Sequence, residues 1–323
     1  MSEPTVSRTS LSDLIEQVAG IIDSDRTVSN KELIQFCAGC GAFDLNADAH
    51  IYHEIAETAL NLLILKKYGR DLLASMNPIE ELSTVLRPLQ KRLPTQTWRS
   101  ETQIAYQQFS TPVTIAFLAT YLLHIRHSET VLEPSCGTGC LAVWALAAGA
   151  KVIANEIDPR RRAAASALGF QSYELDAEFI DDLLPEHLLP DIVLANPPFS
   201  STGGRVKNNS LDFGFRHIES ALRRLKKRGR FAVILGESGS PRSHSGNRFW
   251  AYLSPEVQVK ASIELPGREF YANGTSVKTT LIIGTKPFSI DAPLSSELAA
   301  APHIVARSVE DAFEKAISLN FRF

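Results

Sequence analysis

The chain has 323 residues, 44% hydrophobic and 21% charged, with a formal net charge of −3. That composition excludes a disordered or collagen-like chain and a disulfide scaffold, and the length suits one large α/β domain with a smaller companion. The charge is unevenly spread. Residues 201–286 hold 15 Lys/Arg against 6 Asp/Glu, whereas residues 1–85 hold 6 against 13, so one surface is suited to an anion and the other is not.

The start, Met1-Ser2-Glu3-Pro4, shows no basic region followed by an apolar one, no run approaches 18 apolar residues, and four cysteines fit a reducing compartment. The expected location is the cytoplasm, with no membrane partner. From Leu11 to Ile22, the positions Leu11, Leu14, Ile15, Val18, Ile21 and Ile22 recur at helical spacing. Ser29, with Glu32 three residues on, has the pattern of a capping box for a second helix, which Gly39 and Gly41 stop. A longer helix is predicted from about Asp48 to Tyr68, with Ile55, Ala59, Leu62, Leu63 and Leu65 inward, and a fourth near Pro78 to Leu89. Residues 1–86 therefore read as an all-helical domain. Cys37 and Cys40 have ligand spacing, with His50 and His53 downstream, but the gaps match no common zinc finger and no metal is expected. Residues 87–104 read as a basic, Pro-broken linker in which Lys91 and Arg92 are candidates for touching phosphates.

Pro112 sits early in a helix running to about Leu123, where Thr111 is a candidate cap. Val131 to Cys140 reads as a strand, a glycine turn and the start of a helix. Gly137 and Gly139 allow close approach of a ligand to the backbone. The set departs from the dinucleotide fingerprint, because its third glycine position is Ala142. Glu133 would repel a pyrophosphate but suits an ammonium or sulfonium. A second strand, Lys151 to Asn155, ends at Glu156, about 20 residues after the turn, where an acid accepts from ribose hydroxyls. Asp158 reads as the cap of the next helix. A third strand, Gln171 to Leu175, ends in Asp176.

Asp191 to Ala195 is a fourth strand, an apolar run of the kind that a two-sided sheet buries. It stops in Asn196-Pro197-Pro198-Phe199. Asn196 carries a donor and an acceptor, the two prolines fix φ and remove two N–H donors, and Phe199 adds a flat ring. Two acceptors beside an aromatic face suit a planar group with an exocyclic amine. Ser200 to Ser210, with Arg205 and Lys207, reads as a basic loop over the site. A helix follows from Leu211 to Leu225, then a fifth strand from Phe231 to Leu235. Glu237 to Phe249, Gly/Ser-rich and carrying Arg242 and Arg248, reads as a second loop at the site mouth. Val257 to Leu265 and Val277 to Thr285 are the last two strands. The predicted fold is α/β, a doubly wound, seven-stranded, mostly parallel sheet over residues 105–286, preceded by the helical domain and followed by a tail, 287–323, with one helix near Val309 to Leu319.

In chain order, Phe109-Ser110-Thr111-Pro112, Glu133-Pro134 through Gly139, Glu156, Asp176 and Asn196 to Phe199 resemble the gamma-class adenine-N6 DNA methyltransferases. The helical unit before the Thr-Pro motif is similar to that of the modification subunits of type I restriction systems, and residues 87–123 to methyltransferase modules found with strawberry-notch-type helicases. The resemblance implies a class I methyltransferase fold and S-adenosylmethionine as cofactor. Thr111 and Pro112 would flank its methionine part, with Glu133, Ser135 and the Gly137–Gly139 backbone near the amino group. Glu156 would bind the ribose, Ile157 would pack on the adenine, and Asp176 would accept the adenine amine. Asn196, beside the cofactor, and Pro197 would accept from the target amine, Pro198 would complete the turn, and Phe199 would stack on the target base. Ala177 stands where several relatives place an aromatic. DNA is the implied partner, with affinity expected from Lys91, Arg92, Arg205, Lys207, Arg242 and Arg248, and with sequence preference low or supplied by a specificity subunit or helicase. Similar turns occur in enzymes acting on ribosomal RNA guanine or a protein glutamine amide, and a non-catalytic nucleic-acid-binding subunit would keep the same fold. The Thr-Pro motif and the basic segment favour DNA.

Overall fold

The structure is a computed structural model that describes residues 10–38, 51–96, 109–198, 212–288, 301–319 and 321. Helix α1 (Leu11–Asp23) starts at a capping box between Ser10 and Asp13 and buries Leu14, Ile15, Val18, Ala19 and Ile22. Helix α2 (Asn30–Ala38) starts at the reciprocal pair expected from the sequence: Glu32 N–H donates to Ser29 Oγ (3.2 Å) and Ser29 N–H to Glu32 Oε2 (2.9 Å). Helix α3 (Ile51–Leu63) passes through a π turn, Ile64–Tyr68, into α4 (Gly69–Ala74). Helix α5 (Pro78–Glu81) does the same through Leu82–Leu86 into α6 (Arg87–Lys91).

The first residues of the expected linker are therefore helical. Leu82, Leu86 and Leu89 stay on one buried face. The wider π turn falls immediately before Pro88, which has no N–H to give to a helical ladder.

The sheet comprises β1 (Thr130–Glu133), β2 (Lys151–Asn155), β3 (Ser172–Tyr173), β4 (Ile192–Ala195), β5 (Arg230–Gly236), β6 (Gln258–Leu265), β7 (Thr279–Thr285) and β8 (His303–Val305). Their order is β3-β2-β1-β4-β5-β7-β6-β8. The pairings are parallel except those of β7, which runs antiparallel to both β5 and β6. The sheet has eight strands among the described residues where seven were expected. The addition, β8, is a three-residue edge strand pairing Ser262 with His303, too short to show an alternating pattern in the sequence.

Residues 237–249 also differ from expectation. Instead of a loop, they form a 3₁₀ turn (Glu237–Gly239) and the first half of a helix, His244–Leu253. Ser243 caps that helix, accepting from Gly246 N–H at 2.9 Å. Phe249, Trp250 and Leu253 supply its buried face, with Trp250 stacked on Phe231 of β5 at 5.9 Å. The glycines concealed this periodicity. Gly246 is required by packing, since a Cβ there would run into the Ser240 carbonyl.

Two apolar layers cover the sheet. Residues of α1–α6 form one continuous buried cluster with helices Val113–Leu122, Cys140–Ala147 and Val309–Ser318 and with one face of the sheet. The other face packs on Ile180–Leu183, Asp212–Arg224 and His244–Leu253. The helical unit and the sheet thus share a core. No helix among the described residues is long and apolar enough to cross a membrane.

Candidate active site

Strands β1 and β4 are parallel neighbours, with Val131 opposite Ile192. The strand order reverses here, and in open α/β sheets ligands bind at the carboxyl ends beside such a switch point. Glu133 ends β1 and Asn196 follows β4, so the sequence-predicted residues meet at this crevice.

The glycine turn needs its glycines. Gly137 and Gly139 have φ of 57° and 89°, a region that costs other residues about 1–2 kcal/mol. A Cβ on Gly137 would strike the Arg161 guanidinium, and one on Gly139 would lie 2.9 Å from Phe170. Glu133 is only 2% exposed. One side of its carboxylate is hydrogen-bonded by Ala142 N–H, and burial pushes its pKa well up. Its Oε2 has no hydrogen-bond partner among the described residues. A buried acceptor of this kind is costly unless a ligand donor meets it.

Asn155 knits the neighbouring strand ends. Its Nδ2 donates to the carbonyls of Pro134 and Leu175 (both 2.9 Å), and its Oδ1 accepts from Leu175 N–H (2.8 Å). Glu156 bridges the same region, accepting from Gly137 N–H at 2.7 Å and Asp158 N–H at 2.9 Å. Each of its oxygens keeps a second lone pair for a hydroxyl donor. Asp158 caps the helix Pro159–Ser166 as expected. Asp176 likewise caps the 3₁₀ turn Ala177–Phe179, accepting from Glu178 N–H at 3.0 Å. Ile157, beyond β2, is 55% exposed and Phe179 is 50% exposed. Two apolar side chains left open next to acid acceptors suit a nucleoside. Ser135 is partly buried, and Pro112 is buried ahead of the helix that it caps.

Thr111 does not cap that helix. Its Oγ1 instead accepts from Asn196 Nδ2 at 2.9 Å, and the same Nδ2 reaches the Phe109 carbonyl at 3.4 Å. A carbonyl can only accept, so the amide's NH2 faces residues 109–111 and its Oδ1 faces the other way. That Oδ1 is buried and accepts nothing from the described residues. Pro197 is buried and Pro198 partly so. Gly214 packs on the Pro198 carbonyl so closely that a Cβ there would sit 2.7 Å from it. Phe199, Arg205 and Lys207 lie outside the described residues.

The candidate phosphate contacts separate. Lys91, Arg242 and Arg248 are exposed. Arg92 is engaged within the helical unit, where its guanidinium donates to the Ile22 carbonyl at 2.7 Å and pairs with Asp25. Arg87 is part of an internal cluster, pairing with Glu269 and Glu310 at 2.8 Å each. Among the described residues no group of three or more His, Cys, Asp or Glu side chains is placed to hold a metal ion.

Residues that sequence reading missed line the crevice from α3 and from the helix after β2. Arg161, 7% exposed, donates to Ser110 Oγ at 3.2 Å, and its Nε lies 3.8 Å from Glu54 Oε1. Arg160 pairs with Glu54 at 3.1 Å. Burial pushes the Glu54 pKa up to about 7, against the pull of Arg161 and Arg160. The available signal was the spacing of Glu54, Glu57 and Asn61, which repeats one polar face of an otherwise apolar helix.

Residues 113–243 match the family model of the methyltransferase small domain. Comparison with curated proteins finds no match. Among solved structures, a Listeria monocytogenes protein assigned to the class I S-adenosylmethionine-dependent methyltransferases is 16% identical, with 96% of each chain covered and a TM-score of 0.55. The methyltransferase subunit of a type I restriction-modification system from Streptococcus thermophilus is 19% identical over 83% of this chain and 69% of its own, with a TM-score of 0.47. The fold is that of a class I S-adenosylmethionine-dependent methyltransferase. The fold and the matched family support a methyltransferase with S-adenosylmethionine as its cofactor.

The crevice fits that cofactor on its own chemistry. Glu133 presents an open buried acceptor to a cation, the glycine turn leaves backbone exposed to close approach, and Ile157 stands beside the acid pair Glu156 and Asp176. When bound, the cofactor supplies an electrophilic methyl group. The acceptors that the crevice leaves open are Glu133 Oε2 and Asn196 Oδ1.

Proposed function

We propose that this chain methylates the N6 amine of adenine in DNA, with low sequence specificity or with specificity supplied by a partner. The observation that carries the reading is the orientation of Asn196. Its NH2 is committed to Thr111 and Phe109, which leaves a buried, unpartnered Oδ1 at the end of β4. An adenine amine is a poor nucleophile because its lone pair is delocalised into the ring. An acceptor fixed at Oδ1, with the Pro197 carbonyl as a second, favours a pyramidal nitrogen and localises that lone pair toward the methyl group. Preorganised acceptors and positioning account for rate without a proton-abstracting residue. In a duplex the base must leave the stack, and Phe199 is the proposed replacement for part of the lost stacking.

Arg242 and Arg248, exposed at the start of the helix after β5, and Lys91 are the proposed phosphate contacts, with Arg205 and Lys207 completing the set. A base-reading element needs a helix or ribbon free to enter a groove, and the described helices are packed into the two core layers. The test is labelled methyl transfer to DNA, RNA and protein, followed by nucleoside and amino-acid analysis. N6-methyladenine in DNA is the expected product. Label confined to RNA guanine or to glutamine would overturn the reading.

A further inference from the structure

We propose that helix α3 of the helical unit is a built-in part of the active site, with Glu57 positioning the Thr-Pro segment and Asn61 positioning the glycine turn. The inference deepens the methyltransferase reading, since it names what holds two cofactor-facing segments in place. Residues 109–111 form no capping hydrogen bond with the helix that follows them. They are fixed from outside. Ser110 Oγ donates to Glu57 Oε2 at 2.5 Å and accepts from Arg161 Nη2 at 3.2 Å. Glu57 Oε1 accepts from Asn273 Nδ2 at 3.0 Å, which ties in the segment between β6 and β7. One residue further on, Thr111 holds Asn196. Glu57 thus acts on the open Oδ1 through two links, Ser110 to Thr111 along the backbone and Thr111 to Asn196 across the crevice.

Asn61 lies one turn after Glu57 on the same face of α3. It is 2% exposed and donates to the Thr138 carbonyl, between the two positive-φ glycines, at 3.0 Å. A cavity of about 30 Å³ separates these two attachments. His53, Glu57 and Asn61 line it from α3, and Ser110, Thr111 and Thr138 from the opposite wall. Glu57 and Asn61 thus give α3 a polar face toward the two motifs, which Glu54 extends toward Arg160 and Arg161.

The two links predict separate defects, which a structural role alone would not produce. Asn61→Leu disturbs the glycine turn, and the loss of one buried hydrogen bond should raise the dissociation constant for S-adenosylmethionine up to about 10-fold. Glu57→Ala releases Ser110 and, through Thr111, misplaces Asn196. A displacement of about 1 Å at a reacting group costs up to about 100-fold in kcat, and because the released segment also faces the cofactor, the dissociation constant should rise too, but by only a few-fold. Glu57→Gln keeps an acceptor at the same place and should recover most of that loss. Removal of the surface pair Lys66–Glu16, 2.9 Å apart on the same unit, controls for general loosening and should leave both readouts unchanged.

The experiment measures S-adenosylmethionine binding by calorimetry and methyl transfer to DNA for the full chain and these variants, each checked for folding by thermal denaturation. An unchanged cofactor affinity in folded Asn61→Leu, or a Glu57→Gln variant no better than Glu57→Ala, overturns the inference. Wild-type chain that binds cofactor but leaves DNA unmodified overturns the DNA assignment instead, and the Asn61 binding result still decides the role of α3.

Discussion

Two arginines, Arg87 partly buried and Arg161 buried, join the helical unit to the rest of the fold, and they are built differently. Arg87, on α6, is fully committed: Nε and Nη2 donate to the two oxygens of Glu310 at 2.8 and 3.1 Å, and Nη1 pairs with Glu269 at 2.8 Å. Arg161, beside the glycine turn, keeps an Nε without a hydrogen-bond partner among the described residues, and near it Glu133 Oε2, Asn196 Oδ1 and Asn273 Oδ1 are also open. The first cluster is a clamp in which two carboxylates engage one guanidinium from both sides. The second has polar atoms in excess of the partners that the chain provides. Most buried polar groups are paired in stable proteins, and several open ones gathered in one crevice are what a ligand or a catalytic role would use. The contrast separates a junction that contributes stability from one that contributes function.

The largest effect expected is at the clamp. Arg87→Met leaves Glu269, whose side chain is 4% exposed, without its cation. Breaking a buried pair from one side costs about 3–5 kcal/mol of stability. Chemical denaturation should show that loss, while cofactor affinity and turnover of the folded fraction stay at wild-type values. A Kd that moves with this substitution would erase the distinction between the two clusters.

Asn196→Ala should show the opposite signature. It removes an open acceptor together with the hydrogen bonds of its NH2 to Thr111 and Phe109, so stability should fall by only about 1–2 kcal/mol, while transfer falls by about 10²–10³, the usual cost of one preorganised group that acts in the transition state. Cofactor binding should stay within a few-fold. Near-normal turnover would remove the central assignment.

Much of this arrangement was legible in the sequence, for physical reasons. Strand β2 spans Lys151–Asn155 as expected, and the glycine turn, Glu156, Asp158 and Asn196 follow strand ends because chemistry and chain direction coincide in a parallel sheet. Elements with concealed periodicity were not legible. Helix His244–Leu253 carries Gly246 and Ser243 where a loop would, and β8 is too short to alternate. Within the site, the roles of Glu57, Asn61 and Arg161 depend on contacts across tens of residues. Asn61 to Thr138 spans 77 positions, and local spacing identifies a polar face without saying what it meets. The partners of Arg92 were hidden for the same reason: its basic neighbourhood in sequence concealed Asp25 and the Ile22 carbonyl, which it meets in the fold.

The open cluster should also report itself through pH. Glu54 has a pKa raised to about 7 by burial, with Glu57 and Asp158 adding to the rise and Arg160 and Arg161 opposing it. The folded state therefore holds this proton more tightly than the unfolded chain does. The stability contribution is complete at low pH and is lost as pH rises from about 4.5 to about 7, on the order of 2–3 kcal/mol for a shift of this size. Other carboxylates slope the other way. Burial tends to raise Glu310, but hydrogen bonds from Arg87, a backbone N–H and Ser308, with the charge of Arg87, together outweigh it and hold the pKa at about 2. The readable quantity is accordingly the difference between wild type and Glu54→Gln. Denaturation midpoints measured from pH 5 to 8 should converge at the acid end, with the variant relatively more stable at the alkaline end. Parallel curves would show that Glu54 is ionised throughout and that Arg160 and Arg161 offset the cost of its burial.

The smallest effect expected lies on the surface, where neither cluster reaches. Arg248 sits on a helix whose other face is fixed by Phe249, Trp250 and Leu253, and Arg242 lies exposed in the turn just before it, so replacing them should leave the fold intact. If they meet phosphates, each removes one counterion-releasing contact. DNA affinity should fall several-fold at low salt and evenly across sequences, and the slope of log K against log salt should drop by about one per residue. A change in which adenines are methylated, at constant salt slope, would mean instead that these side chains read base edges. That outcome would place sequence recognition on this helix rather than on a partner. Titrating one random duplex and one fixed duplex at three salt concentrations, with methylation mapped on genomic DNA for the same variants, separates the two roles. A phosphate contact changes the slope and leaves the map alone, whereas a base contact changes the map.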